Sequence, residues 1–87
     1  MKEILFYEGL IAVDRLDGKE LVDGEKLMVK FADGTVEPHQ VIIQSEHFNR
    51  DKGGPLELVR RRSFIKIRYK GTTKWITAVG LQAERIK

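Results

Sequence analysis

Lys26-Leu27-Met28-Val29-Lys30-Phe31-Ala32-Asp33-Gly34-Thr35-Val36-Glu37 reads as two extended runs folded back on one Asp-Gly pair. Glycine reaches positive φ at little cost and Asp tolerates the left-handed region, so the pair predicts a two-residue type I′ turn. That register sets Phe31 opposite Val36 and Lys30 opposite Glu37, an apolar pair on one face and a charge pair on the other. Asp17-Gly18 and Asp23-Gly24 mark two earlier turns. Pro38 has no N–H for a ladder, so the returning strand is expected to end or bulge there before Val41-Ile42-Ile43.

Downstream, the chain turns polar from Ser45, and Asn49-Arg50-Asp51-Lys52-Gly53-Gly54-Pro55 has the chemistry of a mobile loop. Leu56 and Leu58 are then apolar at even positions, whereas Ile65, Ile67 and Tyr69 are apolar at odd ones. Side chains alternate faces with period two, so burying both sets predicts a bulge or turn within residues 60–63. A two-residue turn at Gly71-Thr72 leads into Lys74-Trp75-Ile76-Thr77-Ala78-Val79 as the hairpin partner. Gly80 and Leu81 form a short connector, and a last strand fills residues 83–87. At the other end, Ile4-Leu5-Phe6-Tyr7 is apolar on both alternations and reads as a first strand with both faces covered.

No segment sustains a 3.6-residue apolar repeat, and β-branched and aromatic residues crowd the candidate strands, so the class is all-β. Short strands, a long irregular loop, a hairpin, a short turn and a terminal strand form an order that resembles the SH3-like barrels. The resemblance spans most of the chain and rests on the order of elements rather than on a motif. It implies a small, partly open antiparallel barrel with a minor 3-10 or helical turn, in one domain over residues 1–87. The aromatic first-loop signature and proline-groove aromatics of peptide-binding SH3 domains are missing, while Tudor and KOW-type barrels share the same superfold. That superfold hosts peptide, nucleic-acid and subunit-docking roles, so it implies no single function.

With 87 residues, the chain has room for one modest core that buries roughly 60–65% of the unfolded surface, which leaves little space for a water-excluding active site. It contains no cysteine, which removes thiol chemistry and any need for an oxidising compartment. Glu3 and Glu8 interrupt the apolar start of the chain as a signal core, and no run approaches the ~20 apolar residues of a membrane span. A cytoplasmic protein with no membrane partner is expected. His39 and His47 match no metal-ligand spacing, Ser45 and Ser63 have no nucleophile elbow, and Asp17, Asp23 and Asp33 are each explained by the glycine that follows. The expectation is therefore a non-enzymatic module with no catalytic residue, cofactor or metal.

Charge separates along the chain. Residues 1–50 hold six Lys/Arg against ten Asp/Glu, and residues 51–87 hold ten against three. Within the second half, residues 60–74 carry Arg60, Arg61, Arg62, Lys66, Arg68, Lys70 and Lys74 and no acid. If Ile65, Ile67 and Tyr69 face the core, then Phe64, Lys66, Arg68 and Lys70 share the wet face, with Trp75 opposite Arg68 and Thr77 opposite Lys66. Cations there would contact phosphates while Phe64 and Trp75 stack on bases, which predicts binding of RNA or DNA. A turn one residue longer would bury Trp75 instead. Three adjacent arginines repel one another unless an anion or the acidic half relieves them. The alternative is a protein-interaction module that uses an exposed strand edge or the same basic face, an edge that equally admits a homodimer.

Overall fold

A computed structural model describes residues 1–9, 11–49 and 57–86. Among the described residues there are nine strands and no helix. They are β1 (Lys2–Glu3), β2 (Leu5–Tyr7), β3 (Ile11–Leu16), β4 (Lys19–Glu20), β5 (Lys26–Lys30), β6 (Val36–Asn49), β7 (Glu57–Tyr69), β8 (Thr72–Thr77) and β9 (Gln82–Arg85). Their order is β1-β9-β5-β6-β7-β3-β2, with β4 on β3 and β8 on β7. The chain is thus all-β, but not wholly antiparallel, because β3 and β7 run parallel through Ile11↔Val59 and Ala12↔Arg60. The expected 3-10 or helical turn is not found among the described residues. Residues 78–81 instead form a β-turn closed by the Leu81 N–H donating to the Ala78 carbonyl at 3.1 Å.

The β5–β6 hairpin forms at Asp33-Gly34, one residue away from the expected register. Lys30 pairs with Val36 and Val29 with Glu37. Only Gly34 takes positive φ (89°), and the Gly34 N–H donates to Phe31 O while the Phe31 N–H donates to Thr35 O. This is a three-residue loop ending in a glycine bulge, not a type I′ turn. Burial decides between the two. Leu27 and Val29 are fully buried and Val41 nearly so, and only this register puts odd positions of β6 on the same face as odd positions of β5. Pro38 does not end the strand either. Counting alternate pairs from the Phe31–Thr35 bond, Met28↔Pro38 is a non-hydrogen-bonded pair, so β5 asks no N–H of Pro38.

β6 pairs with β5 through residue 40 and with β7 from residue 41 onward. The polar stretch at residues 45–49 continues β6 as strand, and residues 50–55 of the expected loop lie outside the described residues. Nor does β7 break within residues 60–63. Its register with β6 is continuous from Val41↔Ile65 to Asn49↔Glu57.

The apolar rhythm of β7 falters because a core position is polar. Ser63 is 1% exposed, and its N–H donates to Asp14 Oδ2 at 2.9 Å. Its hydroxyl donates to the same oxygen, and its carbonyl accepts from the Ala78 N–H at 3.0 Å. Asp14 itself is 3% exposed. A buried carboxyl needs donors in place of water, and Ser63 supplies two to Oδ2, while Oδ1 is buried without a hydrogen-bond partner among the described residues.

The first segment changes partner at Ile4, which is fully buried. Its N–H donates to Leu81 O and its carbonyl accepts from the Gly80 N–H. Before it, β1 runs beside β9; after it, β2 runs beside β3. The expectation that this strand is covered on both faces fails beyond Ile4, since Leu5, Phe6 and Tyr7 are all exposed. The core comprises Ile4, Leu16, Leu21, Leu27, Val29, Val41, Ile65, Ala78 and Ala83. Each large aliphatic member contributes on the order of 1.5–3 kcal/mol by leaving water.

Ser63→Ala, which leaves Asp14 one donor, is expected to lose about 1–2 kcal/mol and roughly 5–15 °C in Tm. Asp14→Ala strands two buried donors and is expected to lose more, roughly 2–4 kcal/mol. Thermal melts followed by far-ultraviolet circular dichroism check both, and Tm values for both variants within about 2 °C of the parent would contradict the assignment. Asp33, by contrast, is exposed. Its carboxylate accepts the Thr35 N–H at 2.9 Å, which holds its pKa below the ordinary carboxylate value. A depressed carboxylate adds stability above the unfolded pKa of ~3.9 and loses it as pH falls through the lower folded value. The Tm difference between the parent and Asp33→Ala should therefore be widest near neutrality and narrow as pH drops below ~3.9.

Candidate functional site

The seven cations of residues 60–74 divide into two groups. The first lies along the body of β7 and faces the acidic half of the chain. Arg61 donates to Glu20 at 2.8 Å, and Arg62 lies 3.5 Å from Glu46. Arg60 stacks its guanidinium 4.5 Å from the Phe6 ring centroid and is half-buried. Each of the three adjacent arginines therefore has its own neighbour, and two of those neighbours are glutamates from the net-negative segment. Arg85, also from the basic half, likewise meets Glu25 at 3.1 Å.

The second group lies beyond the body. Pairing of β7 with β6 stops at Val41↔Ile65, while pairing with β8 runs from Phe64↔Thr77 to Tyr69↔Thr72. At the fork, His39 Nδ1 donates to the Lys66 carbonyl at 3.1 Å, meeting a backbone group that the departing β6 leaves unpaired. Residues 66–75 form a two-stranded ribbon in which every residue but Ile67 is exposed. The ribbon carries Lys66, Arg68, Lys70 and Lys74 and no acid. None of the four makes an ion pair among the described residues.

The ribbon turns at Lys70-Gly71, not at Gly71-Thr72. Both residues take positive φ (51° and 77°), as a type I′ turn requires. The alternative would force β-branched Thr72 into that region, which is less tolerable than an unbranched lysine. Trp75 therefore lies opposite Lys66, not Arg68, and Thr77 opposite Phe64, not Lys66. A shift of two residues keeps the faces. Trp75 stays on the Phe64, Lys66 and Arg68 side, 49% exposed, with its ring centroid 6.1 Å from that of half-buried Phe64.

Lys70 and Lys74 do not join that face. Their Nζ atoms lie 5.3 and 5.2 Å from the ring centroid of Tyr69, which is 52% exposed on the other side of the ribbon. From sequence, Tyr69 reads as a core residue because it continues the odd-numbered apolar series. The series runs past the end of the core, so its last member meets solvent.

With half its surface in water, Trp75 should be quenched by iodide in the native state nearly as efficiently as in concentrated urea. Strong native-state protection would contradict the placement. In comparisons with protein-family models, curated proteins and solved structures, the chain matches none.

Proposed function

We propose that the chain is a non-enzymatic binding module that contacts nucleic acid through the ribbon of residues 66–75. The observation that carries this reading is the sorting of charge. Arg61, Arg62 and Arg85 are matched within the fold, whereas four cations with no acidic partner among the described residues gather on one projection beside two half-exposed aromatic rings. Cations of this kind release counterions from phosphates, and the rings add apolar and stacking contact. Phe64 lies at the base of the ribbon with its ring beside that of Trp75, whereas Arg60, Arg61 and Arg62 lie farther back along β7, against Phe6, Glu20 and Glu46.

The proposed scaffold is a partly open, SH3-like barrel. What supports it is the first segment, which hydrogen-bonds to β9 before Ile4 and to β3 after it. Among the described residues no helix is long and apolar enough to cross a membrane. A cytoplasmic setting is proposed with the same reading, since cysteine-free stability needs no oxidising compartment.

A second reading, a protein-interaction module, draws support from a different place. β2 ends the strand order, and Leu5, Phe6 and Tyr7 along it are exposed, with exposed Ile11 on the adjoining β3. An edge strand with apolar side chains is a template for another strand, from a partner or from a second copy.

Titrating an oligonucleotide into the protein while following the single Trp75 is expected to quench its emission. The logarithm of affinity should fall with the logarithm of salt at a slope of roughly −3 to −4, for about four phosphate contacts. Lys66→Ala and Lys74→Ala should each reduce the slope by about one, with little change across sequences. No binding at about 50 mM salt would leave the second reading to explain the surface.

A further inference from the structure

We infer that the ribbon of residues 66–75 enters the major groove of a B-form DNA duplex, an inference that rests on the nucleic-acid reading above. The first reason is shape. Among the described residues β7 and β8 pair only with each other from Lys66↔Trp75 outward, so the projection is two strands wide and, beyond the His39 contact to the Lys66 carbonyl, open along both edges. Strands lie about 4.8 Å apart and rise about 3.3 Å per residue. Two backbones with their side chains are thus comparable to the ~12 Å width of the major groove, and four residue pairs reach about 13 Å, more than its ~8.5 Å depth. An A-form RNA duplex offers only a deep, narrow major groove that side chains cannot read.

The second reason is the distribution of charge over both faces. Lys66 and Arg68 project with Trp75 on one side, and Lys74 reaches over Tyr69 on the other. A single strand laid across one sheet face would use one of these sets. A ribbon inside a groove has a phosphate wall on each side and uses both. Thr72 and Thr73, also exposed, are of a type that hydrogen-bonds base edges or touches thymine methyl groups, and Arg68 is of the type that pairs with guanine.

The third reason is the residue at the tip. Lys70 holds φ of 51° in a turn whose preferred residues are Asn, Asp and Gly. A lysine kept in an uncomfortable conformation at the outermost point of a projection places a cation where a better turn former would place none.

The experiment compares three fluorescently labelled probes of one sequence, each roughly 16 base pairs or nucleotides, about one and a half turns of B-DNA. They are a DNA duplex, its single strand and an RNA duplex, measured by anisotropy at about 50 mM salt. The DNA duplex should bind about tenfold tighter than either other probe, and the major-groove ligand methyl green should displace the protein where the minor-groove ligand netropsin does not. Lys70→Asn should raise Tm by a few degrees, since it relaxes the turn, while weakening duplex binding several-fold and reducing the salt slope by about one. Single-stranded DNA or duplex RNA binding as tightly as duplex DNA, displacement by netropsin alone, or unchanged duplex binding by Lys70→Asn would overturn groove entry while leaving nucleic-acid binding in place. Failure of all three probes to bind would overturn both.

Discussion

A single buried carboxylate ties the strands of this chain together. Asp14 on β3 takes both the backbone N–H and the hydroxyl of Ser63 on β7, and the Ser63 carbonyl in turn takes the Ala78 N–H at the end of β8. β3 otherwise meets β7 through two parallel residue pairs, yet it carries β2 and β4 with it. Placing a polar carboxyl there demands donors in a fixed geometry, because a buried polar group left unpaired costs more than a lost apolar contact. That demand gives β7 a continuous register. Slipping it by one residue would turn Ser63 outward and carry Ile65 with it.

Continuity of β7 has an electrostatic consequence. Held in one extended line, the strand presents its inner basic stretch to β4 and β6, where Glu20 and Glu46 receive Arg61 and Arg62. These pairs are exposed and individually worth little. Their importance is that they use up the basic stretch near the body of the fold. Farther along, β6 leaves β7 for β5, and among the described residues no acidic side chain pairs with the ribbon's cations. Net charge thus understates the field at the tip, since the segregation seen along the chain is partly cancelled at one end of β7 and preserved at the other.

The ribbon also explains why two aromatic rings remain wet. Trp75 and Tyr69 lie on opposite faces beyond the last β6 pair, where a two-stranded sheet has no layer to pack against. Cation–π contacts from Lys70 and Lys74 hold Tyr69 in place of a core, much as Arg60 covers Phe6 where β7 runs beside β3.

Local chemistry alone is enough to read the all-β class, a hairpin about Asp33-Gly34, a β7–β8 hairpin and the shared side of Phe64, Lys66 and Arg68, because turn residues and period-two alternation act over a few positions; the side of Trp75 hung on the exact turn, which the structure puts at Lys70-Gly71. Tertiary structure decided the rest. The β5–β6 register followed from the burial of Val41, and the apparent break near Ser63 dissolved once Asp14, 49 residues earlier, supplied its partner. Which arginines are matched depended on Glu20, 41 residues from Arg61. Whether Tyr69 was core or surface depended on where β6 leaves β7. A sequence states each residue's own preferences, but a face is buried and a charge is paired only by what the fold brings against it.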